Sequence, residues 1–278
     1  MTDMREFEKL PWADRPGRHI VSLSGGKDST ALAIFLRDKI PQLEYVFCDT
    51  HKELPETYEY IDKLEAFLQR KITRLNPDRG FDHWLEMYNG MLPSGQVRWC
   101  TRKLKIEPFE RFVGDDLVWS YVGIRADEKR SGYISTRSNI FPVYPYKEYD
   151  ITITEVERIL EESGLGLPTY YEWRKRSGCS FCFFQRTIEW VGLMERHPDK
   201  FQEAKDYESE RGGERFYWRQ NEKLEELEKP ERIAQVKLDN ERRVEEERKR
   251  RPNRTLLEIQ ADVLDDEDDS TGCNICHL

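Results

Sequence analysis

The chain has 278 residues, is 37% hydrophobic and 36% charged, and carries a net charge of −9. That length holds one large α/β domain plus an appendage, with much of the chain solvated. The charge argues against bulk non-specific nucleic-acid binding while leaving room for a local basic patch, and no stretch of about 18 apolar residues is present to form a transmembrane helix.

Residues 1–17 read as a polar leader without the apolar core of a secretory signal, so a cytoplasmic location with no membrane partner is expected. His19-Ile20-Val21 reads as the end of a buried strand, and Thr30 to Leu36 as a helix. Between them lies Ser22-Leu23-Ser24-Gly25-Gly26-Lys27-Asp28-Ser29. Strand, glycine turn and helix together aim backbone N–H groups and a helix N-terminus at a phosphate. Gly25 and Gly26 let the backbone approach the ligand, Lys27 adds a point charge, Ser24 and Ser29 add hydroxyls, and Ser29 or Asp28 is expected to cap the helix. The spacing is not that of a Walker A loop, which places four residues between its first Gly and the Gly-Lys pair.

Leu43–Cys48 reads as a second strand, 55–70 as a helix with Tyr58, Ile61, Leu64 and Leu68 on one face, 71–75 as a third strand and 117–122 as a fourth. Strands alternating with helices imply an α/β fold with a doubly wound parallel sheet, whose ligands sit at the carboxyl ends of the strands. Three strands deliver polar residues there: the glycine loop, Asp49-Thr50-His51-Lys52, and Gly123-Ile124-Arg125-Ala126-Asp127-Glu128-Lys129-Arg130. Cys48, inside an apolar strand, reads as a buried hydrophobe.

From Thr152 the chain turns helical, with Thr154-x-x-Glu157 as a capping box. Tyr170-Tyr171-Glu172-Trp173-Arg174-Lys175-Arg176 is either a contact for nucleic acid or a partner, or an exposed basic turn. Residues 197–209 and 219–251 read as charged helices, and 265–269 as an acidic disordered linker. The expected division is a nucleotide-binding domain over 1–150, a helical substrate or partner region over 151–264, and a tail over 265–278. Six Cys in a reducing compartment read as ligands, catalysts or core residues rather than a disulfide framework. Cys179-x-x-Cys182 and Cys273-x-x-Cys276 both have metal-ligand spacing, and four thiolates satisfy either zinc or an iron–sulfur cluster.

Ser24-Gly25-Gly26-Lys27-Asp28-Ser29 resembles the PP-loop of the ATP pyrophosphatase superfamily, whose members share a Rossmann-like fold and attack ATP at the α-phosphate. Three later segments resemble its phosphoadenosine phosphosulfate (PAPS) reductase-like branch. They are Asp49-Thr50 with Pro55-Glu56-Thr57, then Cys100-Thr101-x-x-Leu104-Lys105-x-x-Pro108, and Gly123-x-Arg125-x-x-Glu128-x-Arg130. The last departs from the branch by Lys129 where Ser is usual and by an early Arg130. The resemblance implies that Ser22, Ser24, Gly25, Gly26, Lys27, Asp28, Ser29, Asp49, Thr50, Gly123 and Arg125 bind the nucleotide, with Lys27, Asp28 and Arg125 serving the reaction. It also implies a metal centre on Cys100, Cys179 and Cys182, iron–sulfur or zinc. Thr101 stands where adenylyl-sulfate reductases have a second Cys, so Cys273 or Cys276 is left as a fourth ligand or a sulfur relay.

Lys27 and the unmodified loop favour use of ATP with Mg²⁺. The expected reaction is adenylation of an acceptor followed by sulfur transfer, with a cysteine desulfurase or other sulfur donor as partner. Among such enzymes the DNA phosphorothioation ATP pyrophosphatases are similar in domain order, which makes a nucleic acid the expected acceptor. A PAPS or adenylyl-sulfate reductase and a nucleotide-binding scaffold without turnover are the alternatives.

Overall fold

The computed structural model describes residues 10–128, 135, 137–219 and 222–250. They fall into two units interleaved along the chain: 10–78 with 101–169, and 79–100 with 170–250.

The first unit is built on a parallel sheet. Its strands are β1 (Arg18–Leu23), β2 (Leu43–Cys48), β3 (Ile72–Leu75), β4 (Val118–Tyr121) and β5 (Ile140–Val143), in the spatial order β3-β2-β1-β4-β5. The central strands are apolar on both faces, as a parallel sheet covered by helices requires. On one face Val21, Leu23, Tyr45 and Phe47 pack with Leu32 and Leu36 of α1 (Lys27–Arg37) and Ile61 and Leu64 of α2 (Pro55–Leu68). On the other, Ile20, Val46, Cys48, Val118 and Ile140 pack with Phe109 and Val113 of the helix Glu107–Val113. The strand order reverses direction at β1, so the loops after β1 and β4 diverge around a crevice at the sheet's carboxyl edge.

Several expectations are amended. β5 was not anticipated: Ile140-Phe141-Pro142-Val143 reads poorly as a strand because Pro142 cannot donate to a ladder, and it is tolerated here because β5 lies at the sheet edge. The helix Ile153–Ser163 packs on α1, its Val156 and Leu160 completing the same core. Its capping box is Thr152 with Glu155, not Thr154 with Glu157: the Thr152 N–H and hydroxyl both donate to the Glu155 carboxylate. Around the Cys100 segment, Trp99–Thr101 is helical, Arg102–Ile106 is π-helical, and Glu107–Val113 returns to α. Pro108 has no N–H to give the Leu104 carbonyl and its ring crowds that carbonyl, so the turn widens.

The second unit has an aromatic core. Phe81 lies 5.0 Å from Trp99, 4.9 Å from Phe181 and 5.0 Å from Tyr207, ring centre to ring centre. Trp218 adds contacts at 5.3 Å to Phe181 and 5.9 Å to Trp190. Helices Thr187–Arg196 and Pro198–Tyr207 pack together, and a hairpin of Ser209–Arg211 and Glu214–Phe216 follows. The charged helix expected over 219–251 is Pro230–Arg250, preceded by the short helix Leu224–Leu227. Among the described residues no helix is long and apolar enough to cross a membrane. The acidic segment 265–269, Cys273, Cys276, Lys129 and Arg130 lie outside the described residues.

Candidate functional site

The glycine loop closes on itself. Ser29 Oγ donates to the Gly26 carbonyl at 3.2 Å and accepts the Ser24 N–H at 3.1 Å. Its one proton is then used, so at their 3.1 Å contact the Ser24 hydroxyl is the donor. Gly26 is the N-cap of α1 and receives no side-chain cap. Ser29 and Asp28 therefore do not cap the helix; Ser29 holds the loop's shape. Gly25 has φ +74, and a Cβ there would sit 2.5 Å from Thr57 Cγ2. The Pro55-Glu56-Thr57 segment at the start of α2 is thus the wall against which the loop is moulded. Ser22 is buried with its hydroxyl unpartnered, below the loop rather than within it.

Asp28 is the hub of the charges. It is 7% exposed, accepts Lys27 Nζ at 2.9 Å on one oxygen, and accepts Arg125 Nη1 at 2.9 Å on the other. Arg125, 8% exposed, also meets Glu128 at 2.9 Å and Asp127 at 3.0 Å. Burial opposes the guanidinium's charge, but Asp28, Glu128 and Asp127 outweigh it and raise its pKa. Gly123 makes this approach possible: a Cβ there would meet the Asp28 carbonyl oxygen at 3.1 Å. Tyr146, which sequence reasoning passed over, donates to the same carbonyl at 2.8 Å. Loop and Gly123–Glu128 segment are therefore brought together, on either side of the point where the strand order reverses.

The end of β2 is organised by two carboxylates. Asp49 accepts the His51 N–H at 2.8 Å and the Tyr58 hydroxyl at 2.7 Å. The Thr50 hydroxyl donates to both oxygens of Glu53, at 2.8 and 2.9 Å, and the Lys52 N–H donates at 3.2 Å. Glu53 is buried; desolvation pushes its pKa up, against the opposing pull of Lys105 and the Thr50 hydrogen bond. Asp49 and Thr50 thus shape the turn, and Glu53 and Tyr58 are the residues sequence reasoning missed. The signal for Glu53 is a carboxylate three residues after a buried Thr, too common a spacing to single out. Cys48 is a buried hydrophobe as read, its thiol pushed up to about 12 by burial. In the π-helical turn, Lys103 and Arg102 meet Glu107 at 2.7 and 3.3 Å.

In the second unit Cys179 and Cys182 sit on a tight turn, with the Cys182 N–H donating to the Cys179 carbonyl at 3.1 Å. Arg174 Nη2 donates to that carbonyl at 2.8 Å. Glu189 ties both ends of the loop, accepting the Lys175 N–H at 2.9 Å and the Arg186 N–H at 3.0 Å. Arg174 is 1% exposed and Tyr170 is buried, so 170–176 is not an exposed basic turn. Its cation anchors the cysteine loop from beneath, with Nε and Nη1 unpartnered among the described residues. Arg98 and Arg176 lie over the Phe184 ring, at 5.3 and 6.0 Å. Among the described residues no three His, Cys, Asp or Glu side chains are arranged to hold a metal ion.

Residues 18–142 match the family model of the phosphoadenosine phosphosulfate reductase domain. An uncharacterized protein of Methanocaldococcus jannaschii is 30% identical over 177 residues, which are 59% of this chain and 35% of that one. The adenosine 5′-phosphosulfate reductase of Staphylococcus haemolyticus is 33% identical over 125 residues, 44% of this chain and 51% of that one. The chain thus spans about half or less of the length of these curated relatives. The crystal structure of the Candida auris PAPS reductase in phosphate complex is alike in fold, with a TM-score of 0.50 and 16% identity over 64% of this chain and 88% of that one.

Proposed function

Because residues 18–142 are a phosphoadenosine phosphosulfate reductase domain of the PP-loop superfamily, we propose that the protein is an ATP pyrophosphatase that activates an acceptor for sulfur transfer. The observation that carries this reading is the Lys27–Asp28–Arg125 cluster at the mouth of an intact Ser24–Ser29 loop. The backbone N–H groups at the start of α1 receive the phosphates. Asp28 holds two cations in fixed positions, so that they meet charge developing on the phosphoryl oxygens without first having to reorganise. ATP arrives as its Mg²⁺ complex, which offsets phosphate charge within the substrate itself.

In the reaction an acceptor oxygen attacks the α-phosphorus, the bond to pyrophosphate breaks, and an adenylylated acceptor remains. A sulfur nucleophile then forms its bond to the activated centre while AMP leaves. The acceptor is proposed to be a nucleic acid, with DNA backbone phosphorothioation favoured. The sulfur comes from a cysteine desulfurase or an equivalent donor as a persulfide, whose outer sulfur bonds to the activated centre. A thiol reductant then cleaves the S–S bond, leaving the sulfur on the acceptor and a disulfide as the oxidised product. The protein works in the cytoplasm. Arg98 and Arg176 beside Phe184 support a phosphate-bearing acceptor. The names of the curated relatives favour a second reading, reduction of adenosine phosphosulfate.

One assay separates the two. The protein is incubated with ATP–Mg²⁺, DNA, a thiol reductant and a desulfurase with cysteine, and the digested DNA is analysed for phosphorothioate linkages; in parallel, sulfite is measured from PAPS or adenosine phosphosulfate with a thiol reductant. Phosphorothioate with no sulfite is the expected result. Sulfite without ATP consumption establishes the reductase reading instead.

A further inference from the structure

His51, like Gln69 and Asp150 of the first unit, is a non-glycine residue with positive φ, and it is the one of the three that lies in the turn after β2. Its φ is +61, in the left-handed region that a Cβ disfavours. Its neighbours hold it there. The buried Asp49 accepts its backbone N–H, Tyr58 fixes Asp49 from the other side, and Thr50 and Lys52 are both bound to the buried Glu53. The Asp49 and Glu53 carboxylates and the Thr50 hydroxyl are engaged within the turn. The imidazole is 57% exposed, with its Nδ1 3.7 Å from Asp49 Oδ1. An over-determined turn that keeps a non-glycine residue left-handed and presents its polar ring to solvent is the kind of strain found at ligand sites.

The position of the turn identifies the ligand. β2 lies beside β1, with Leu23 paired to Phe47, so the turn after Cys48 emerges next to the glycine loop. Thr57, eight residues along from Asp49, packs on Gly25 of that loop. We propose that His51 is a nucleotide-binding residue: Asp49 orients its ring, and the outer ring N–H donates a hydrogen bond to an acceptor atom of the bound adenine nucleotide. This deepens the reading of the glycine loop as an ATP site and rests on it.

The test compares ATP–Mg²⁺ affinity, by calorimetric titration of the full chain, between wild type, His51→Gly and His51→Asn. Glycine adopts φ +61 without strain, so His51→Gly folds and melts at or above the wild-type temperature. Its affinity falls at least about tenfold, the scale of one hydrogen bond to a charged group. Asn also tolerates the left-handed region and keeps an N–H donor, and it recovers part of the loss. Affinity within twofold of wild type in both variants overturns the proposal. Weakened binding in His51→Gly, in a protein that releases no pyrophosphate, removes the pyrophosphatase reading and keeps this one. Pyrophosphate release with unchanged affinity does the reverse, and a wild type that binds no ATP removes both.

Discussion

Asp28 and Arg125 are a buried pair whose partners sit on different loops, and such a pair is far more costly to break than to replace. Arg125→Met leaves the Asp28, Asp127 and Glu128 carboxylates without their shared guanidinium, and should lower unfolding free energy by about 3–5 kcal/mol in a urea titration. Adding Asp28→Asn should restore much of that stability but no ATP binding, because the first loss is of charge balance and the second of phosphate contacts. Glu53 gives a pH signature. Its folded pKa is raised from 4.5 by burial. The folded state therefore holds a proton that the unfolded state releases, and this contribution to stability declines as pH rises from 4.5 through the folded value. Glu53→Gln should gain stability relative to wild type over that window, as followed by melting temperature against pH; a constant difference would show Glu53 ionised in the fold. Lys27, Asp28 and Arg125 could be read from the sequence because they sit in contiguous motifs. Glu53, Tyr58, His51 and Tyr146 could not, because their roles arise from one left-handed turn and from a contact spanning residues 28 and 146.

At the scale of elements, β1, α1, β2, α2, β3 and β4 were legible because buried apolar runs alternate with a 3.6-residue period. β5 was hidden by Pro142, and the π-turn by the ordinary helical look of Arg102–Ile106. The composition of Ile153–Ser163 resembles that of the later helices, yet Val156, Ile159 and Leu160 place it in the core of the sheet. Packing against a distant partner decides such cases, and one sequence does not display it. The contact between the glycine loop and α2 makes a prediction about two elements at once. Gly25→Ala places a Cβ in the left-handed region and against Thr57 Cγ2, and should cost at least about 1–2 kcal/mol. Adding Thr57→Ser removes the opposing methyl and should recover the steric part of the loss but not the backbone strain, a partial rescue readable in the same urea titration. Full rescue would mean that φ at Gly25 carries no strain.

For the molecule as a whole, the division at about residue 150 that composition suggests is replaced by two interleaved units. Residues 101–169 join the sheet unit, while 79–100 join 170–250 around Phe81, Trp99 and Phe181. An insertion after β3 that supplies Phe81 and Trp99 to a remote aromatic core has no periodic signal of its own. The sheet unit contains the Lys27–Asp28–Arg125 cluster and the second unit the Cys179–Cys182 turn. Purified protein is given ATP–Mg²⁺ with DNA, a cysteine desulfurase, cysteine and a thiol reductant, and the products are resolved by chromatography in wild type and Lys27→Ala. Wild type should give AMP and pyrophosphate in equal amounts, reduced at least about a hundredfold in Lys27→Ala, the scale of a lost phosphoryl contact. ADP and phosphate as products, or AMP and pyrophosphate at undiminished rate from Lys27→Ala, would contradict the pyrophosphatase reading.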